Sequence, residues 1–321
     1  MQQFTYLRFL AVALALGIGA VISSAQTQAG AIKAVQLVGS VSVKSADGKS
    51  RQITEGQALI ESDVVSTGTN SSVVLVFMNG SSVKLEETSR LAIEEFKMDP
   101  LADDIAVAQL TAEPTLSKTR LSLAFGEMVG NVKKLNSNSL YDIKTPAGAA
   151  GIRGTTFRIV LRFDATGQIE FQLSTAEGLV VFTGIIPTVG TGTATETSGE
   201  GVAVAGGQEV TATVQINPTT NVVSSSVIST PQPISAAATQ AINTAITQAI
   251  QQAAQTTTFT PAEQQSTATS TSGTTTGSST TKPQPEAEQT PEPSSTSTKP
   301  STSSPTTTSP STALDTTTRS G

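Results

Sequence analysis

The pattern of apolar and polar positions over residues 30 to 230 is that of short β-strands separated by glycine-containing turns. The apolar run 73–78 predicts a strand buried on both faces, and the following Asn79-Gly80 is a strong hairpin signal. Gly126 separates two further strand predictions, 121–125 and 128–132. Other predicted strands cover 140–143, 155–163, 169–173 and 179–183. Because no βαβ alternation is present, the pattern predicts an all-β sandwich or jelly-roll-like domain.

One helix is predicted after the strands. Ser235 is a candidate N-cap for residues 236–255, and isoleucine or alanine recurs every fourth position from Ile234 to Ile250. Such a stripe favours a helix docked on the β domain. A self-association helix and an unstructured Ala/Gln/Thr linker are the alternatives.

The N-terminal segment predicts export. Residues 9–22 form a 14-residue apolar run after Arg8, and small residues up to Ala25 follow it. Since a bilayer-spanning helix needs about 20 apolar residues, the run is typical of a signal peptide cleaved after Ala25. The alternative is an uncleaved anchor. With cleavage, we expect no stable membrane span and a location in the periplasm or at the cell surface.

The C-terminal segment is rich in Ser, Thr and Pro, and it holds eight of the chain's 15 prolines. Such a composition buries too little apolar surface to offset chain entropy, so residues 256–321 are predicted to be a disordered tail. The full division is a signal peptide at 1–25, a β domain at 30–185, an additional β segment at 186–230, a helix at 234–255 and the tail.

Composition narrows the chemistry. The 321 residues include no Cys, His or Trp, which excludes thiol and imidazole catalysis, disulfides and imidazole or thiolate metal ligands. The 25 acidic against 19 basic residues argue against a nucleic-acid partner. The acidic loop Asp99, Asp103 and Asp104 lacks calcium-site spacing. We therefore expect no enzyme activity, no cofactor and no metal.

Two segments, 53–91 and 123–159, carry a set of motifs in a recognisable order. The motif residues are Asp63, Thr67, Gly68, Asn79, Gly80, Thr145, Pro146, Arg153, Gly154, Thr155 and Phe157, with Leu85, Ser89 and Leu91 between the two halves. Together these segments resemble the FecR domain family of Gram-negative bacteria.

The resemblance implies an exported or periplasmic β domain that receives or transmits signals through protein contacts. Members of the founding type also carry a cytoplasmic segment that controls a sigma factor. Because eight residues precede the apolar run here, we do not expect such a segment in this sequence. The partner would be a protein or another envelope component.

Most of the motif residues have structural explanations. Gly68 and Gly80 suit turns that need positive φ, and Pro146 fixes φ at a strand end. Arg153 lies among small residues, where its guanidinium would bond loop carbonyls or Asp63. Its alternative role is a contact to an acidic or carbohydrate ligand.

Two functions remain open from the sequence. The first is a non-enzymatic FecR-like binding module, with a role in envelope signalling. The second is a structural or adhesive surface protein in which the tail serves as a stalk.

Overall fold

The computed structural model describes residues 27–184, 201–217 and 222–272, without side chains at 216–225 and 268–272. The predicted signal peptide, most of the predicted tail and residues 186–200 and 218–221 of the additional β segment lie outside the described residues. Within the described ranges, no helix combines the length and apolarity that crossing a bilayer requires.

Strands dominate the described residues. They are β1 (Gln28–Ala29), β2 (Ile32–Val38), β3 (Val41–Lys44), β4 (Ser50–Gln52), β5 (Gln57–Leu59), β6 (Val64–Thr67), β7 (Ser72–Phe77), β8 (Ser82–Leu85), β9 (Arg90–Met98), β10 (Ile105–Ala106), β11 (Ser117–Asn131), β12 (Leu140–Thr145), β13 (Gly148–Ile152), β14 (Thr156–Phe163), β15 (Ile169–Glu177), β16 (Leu179–Gly184), β17 (Val202–Ala205), β18 (Gln208–Asn217), β19 (Val222–Ile228), β20 (Gln232–Pro233) and β21 (Thr258–Phe259). The helices are a 3-10 turn (Val107–Gln109), α1 (Ala236–Ala245), a π-helical segment (Ile246–Ile250), α2 (Gln251–Thr256) and α3 (Pro261–Ser272).

The long strands form two sheets that share one strand. The open sheet has the order β4-β3-β6-β9-β11-β12-β13-β16-β17. The covered sheet has the order β5-β2-β7-β8-β11-β14-β15-β18-β19. β11 and β12 pair in parallel, whereas the other neighbours in these two orders are antiparallel.

The first half of β11 belongs to the open sheet and the second half to the covered sheet. Residues 117–125 pair with β9, and residues 126–131 pair with β14. Gly126 stands at the change of sheet with φ +101, and a Cβ there would overlap Ser89. The prediction of two strands separated by Gly126 was therefore wrong. Glycine lets a single strand turn from one sheet into the other.

The two sheets enclose one hydrophobic core. Phe77 of the covered sheet meets Phe96 of the open sheet edge to face, with 5.2 Å between ring centroids. In the other half, Phe171 and Phe182 stack across the sheets at 4.5 Å. These contacts between the sheets confirm the predicted all-β sandwich.

The predicted helix lies on the outer face of the covered sheet. Ser235 Oγ accepts a hydrogen bond from the Ala238 amide at 3.3 Å, as expected of an N-cap. Ile242 and Ile250 are buried and belong to the same core cluster as the strands. The helix thus explains why β7 is apolar on both of its faces, and the docked alternative is confirmed.

The chain is ordered further than the predicted start of the disordered tail at residue 256. Phe259 is fully buried and pairs with Ile105 across β10 and β21. Lys33 Nζ lies 2.7 Å from Glu263 in α3, and the Gln264 side chain accepts from the Leu101 amide at 3.0 Å. A single aromatic anchor and a few specific polar contacts fix a segment whose average composition predicts disorder.

Gly126→Ala should lower the free energy of unfolding by about 2–4 kcal/mol, because it adds strain at positive φ and a clash with Ser89. The matched control is Gly167→Ala, where φ is +81 and nothing lies within 4 Å of a Cβ. The control should cost about 1–2 kcal/mol. Urea unfolding measures both, and equal losses would contradict the close approach at Gly126.

Phe259→Ala should lower the free energy of unfolding by about 3–5 kcal/mol, the usual cost of truncating a buried phenylalanine. Thr258→Ala, at an exposed position of the same strand, should change it by less than about 0.5 kcal/mol. Thermal and urea unfolding provide the measurement. No effect of Phe259→Ala would mean that the tail begins at 256 after all.

Candidate functional site

Part of the family motif builds the corner at which β11 changes sheet. The Thr67 hydroxyl donates to the Glu86 carbonyl at 2.6 Å and accepts from the Ser89 amide at 2.9 Å. The Ser89 hydroxyl in turn accepts from the Glu127 amide at 2.9 Å. The Gly68 carbonyl accepts from the Thr88 amide at 3.0 Å, and its amide donates to the Ser40 carbonyl at 3.0 Å. Ser89 therefore holds the backbone at Glu127, directly after Gly126, and Thr67 and Gly68 hold the segment that carries Ser89. The prediction of positive φ at Gly68 was wrong, because its two bonds to neighbouring segments hold it without a left-handed conformation.

Beside this corner the covered sheet has a gap. Because β11 leaves the sheet at Gly126, its pairing with β14 ends at Leu161, while β14 continues beside β15 to Phe163. The gap is an open groove of about 800 Å³. Its floor is 125–127, one wall is 161–163, and the facing wall comprises 70–72 and 86–88.

The groove is mixed in character. The Phe163 side chain is 49% exposed, in a chain that contains few aromatic residues. Glu127 accepts two hydrogen bonds from the Arg158 guanidinium, at 2.7 and 2.9 Å, and lies 4.0 Å from Arg162. Glu86 pairs with Lys84 at 2.6 Å. The site therefore offers apolar surface flanked by groups of both charges.

A second set of motif residues lies around the 132–139 connection between β11 and β12. The Asn79 side-chain amide donates to Ser117 Oγ at 3.1 Å. A Cβ at Gly80 would lie 2.8 Å from the Leu110 side chain. A Cβ at Gly154 would meet Lys134 at 3.1 Å, and the Thr155 carbonyl accepts from the Val132 amide at 2.9 Å. Gly154 and Thr155 contact the connection directly, Gly80 lies beside Lys133 within it, and Asn79 bonds the start of β11. None of the four lines the groove.

Arg153 belongs to this second set. One of its guanidinium nitrogens donates to the carbonyls of Ser137 and Ser139, at 3.3 and 3.0 Å. The structure shows this carbonyl-bonded arrangement and no contact between Arg153 and Asp63. Asp63 instead accepts from the Ile60 amide at 3.1 Å within its own turn.

The remaining motif residues lie in turns and in the core. The Thr145 hydroxyl donates to the Gly148 carbonyl at 2.8 Å around Pro146, which closes the turn from β12 to β13. Phe157 is fully buried, and a Cβ at Gly130 would overlap its ring. A role for any motif residue in partner binding stays a prediction.

The sequence patterns did not single out the groove wall formed by Arg162 and Phe163. Residue 163 ends a predicted strand and precedes the polar turn that starts at Asp164, so alternation alone places it equally well in the core. Its exposure follows from the departure of β11, which no local pattern reports. Among the described residues, no group of three or more carboxylates could hold a metal ion.

The geometry is that of a β-sandwich with a peptide-sized groove at a gap in one sheet. Residues 63–181 match the family model described as FecR protein. The match confirms the resemblance that the sequence motifs carry, and it includes both the corner and the groove wall.

Individual proteins show only distant similarity to the chain. No curated protein matches the chain. Two crystal structures of a candidate anti-sigma factor from Parabacteroides distasonis ATCC 8503, at 1.65 and 2.50 Å, are similar to it at 10% and 9% identity, each with a TM-score of 0.32. Each alignment covers 52% of this chain and 59% of the other protein.

Arg153→Lys should lower the free energy of unfolding by about 0.5–1.5 kcal/mol, because an ammonium cannot keep the guanidinium geometry toward two carbonyls. Arg162→Lys is the matched control, since that side chain is 69% exposed. Chemical denaturation compares the two variants. Unchanged stability of Arg153→Lys would favour the ligand-contact alternative for this residue.

Proposed function

We propose that the chain is a non-enzymatic exported binding module that acts through protein contacts in the cell envelope, with a role in envelope signalling. The groove beside Gly126 is the observation that carries this proposal. The family match over 63–181 supports it, and the apolar run 9–22 supports export to the periplasm or surface of a Gram-negative cell.

The groove suits an extended segment of a partner protein. β14 pairs with β11 only as far as Leu161. Arg162 and Phe163 pair with β15 on one side, but no strand of the described chain pairs with them on the side that faces β11. A strand that ends in this way can accept an added strand through its free backbone groups. An incoming segment would continue the line of β11 after that strand has turned away.

Side chains in the groove indicate what the segment would carry. Phe163 and the half-buried Phe125 provide apolar contact surface. Arg162 and Glu87 stand on opposite walls. We therefore expect an apolar or aromatic residue flanked by polar or charged residues of both signs. Aromatic anchors of this kind supply much of the binding energy at interfaces.

The experiment places a photo-crosslinking amino acid at residue 163 in the exported chain, in cells of the native host. We expect one protein adduct of defined mass, because the side chain lies in the groove. The crosslinked segment is then synthesised as a peptide. Phe163→Ser should weaken its binding at least about tenfold, the usual scale for loss of an aromatic anchor.

Val227 supplies the matched control, since it is exposed outside the groove. Crosslinker at 227 should give no such adduct, and Val227→Ser should bind the peptide as the wild type does. Equal adducts from both positions would contradict the proposal. Retention with bulk cell wall and no defined partner would support the structural or adhesive alternative.

A further inference from the structure

The charges of the described residues are distributed unequally over the sandwich. On the outer face of the open sheet, β9, β11 and β12 present Lys97, Lys118, Arg120 and Lys144, and Arg153 directly follows β13. Lys44 and Arg90 extend this basic face across β3 and β9.

The excess of positive charge on this face is large for an acidic chain. Its seven cationic side chains stand against three carboxylates, those of Glu94, Glu95 and Asp142. The rest of the described chain carries eight cationic and sixteen acidic side chains. An overall acidic composition therefore conceals one sheet face with a net charge of about +4, which is the sort of local field that attracts polyanions.

The centre of the face brings cations together. Lys97 and Lys118 stand directly opposite each other on β9 and β11, an arrangement that is repulsive by itself. The Glu95 carboxylate lies 3.5, 3.0 and 3.5 Å from Lys97, Lys118 and Arg120. Burial alone would raise the pKa of Glu95, but the hydrogen bond from Lys118 and the surrounding cations lower it. One carboxylate thus neutralises only part of the charge of three cations. The remaining positive charge is available to a ligand.

Apolar side chains lie on the same face. Leu179 and Val181 of β16 are 41% and 39% exposed, and Val181 pairs with Gly151, the strand neighbour of Asp142. On β17, Ala203 and Ala205 face Val181 and Leu179. The face therefore joins a cationic area to an apolar edge, whereas the outer face of the other sheet is covered by α1 and α2.

We propose that this basic face docks on an anionic phospholipid bilayer. A surface that combines several lysines or arginines with exposed aliphatic side chains matches the charge of the headgroups and the apolar zone beneath them. A broad sheet face also matches a planar partner such as a bilayer. The groove beside Phe163 suits an extended peptide segment instead. The paired carboxylates keep the attraction moderate and sensitive to salt.

The test is co-sedimentation with lipid vesicles of phosphatidylcholine alone or with 30% phosphatidylglycerol. The protein is purified after export, and its mass shows whether the apolar run 9–22 is present. Wild type should bind the anionic vesicles, bind neutral ones far less, and lose binding between 50 and 300 mM salt. Neutralising two lysines, Lys118→Gln with Lys144→Gln, should weaken anionic binding at least about tenfold.

Two further variants make the outcome specific. Lys84→Gln with Lys133→Gln removes the same charge on the side of the helix-covered sheet and should bind as wild type does. Leu179→Ser with Val181→Ser should weaken the binding that survives at high salt. Circular dichroism and thermal unfolding confirm that each variant is folded. Phe163→Ser, in the groove, should leave vesicle binding unchanged.

Three results would overturn the proposal. One is failure of wild type to bind anionic vesicles, and another is an equal loss in the on-face and off-face lysine variants. The third is tighter binding to a DNA duplex than to vesicles together with no effect of Leu179→Ser and Val181→Ser, which would identify a soluble polyanion as the ligand. If the apolar run is retained, it contributes the same free energy of binding to every variant and to both vesicle types. The ratio of dissociation constants between the on-face and off-face variants then tests the face.

Discussion

The close approach of Gly126 to Ser89 allows one strand to belong to two sheets. A side chain at position 126 would overlap Ser89, and φ is +101, so the turn of β11 depends on glycine. The Ser89 hydroxyl accepts from the Glu127 amide directly after the turn, and the Thr67 hydroxyl accepts from the Ser89 amide. From this corner follow the pairing of both sheets along β11, the enclosed core and the gap that forms the groove.

The family motif contributes to this arrangement in two places. Thr67, Gly68 and Ser89 stabilise the corner, whereas Arg153 and Gly154 contact the connection that carries β11 into its parallel neighbour β12. Asn79 bonds Ser117 at the start of β11. A parallel pair joined by so short a connection needs its backbone groups satisfied locally. Both sets of residues lie beside β11. The first lies where β11 changes sheet, and the second lies near its two ends.

The two outer faces of the sandwich have become different surfaces. A helix with an isoleucine stripe covers one sheet and buries the outer face of β7, which is apolar on both faces. The other sheet is without such a cover among the described residues and collects cations from four strands. The proposed partner groove and the proposed bilayer-docking face use different residues, so the two proposals are compatible.

Local patterns in the sequence determined the β class, the Asn79-Gly80 hairpin, the strand buried on both faces and the Ser235-capped helix, because each depends on neighbours within a few residues. Tertiary structure alone decided that Gly126 turns a continuous strand between sheets, since its contact with Ser89 spans distant positions. It also decided that Phe259 anchors a segment of disorder-like composition and that Phe163 is exposed. The sequence determined the net charge of −6. Only the pairing of β9, β11 and β12 decided that many of the cations lie on one face.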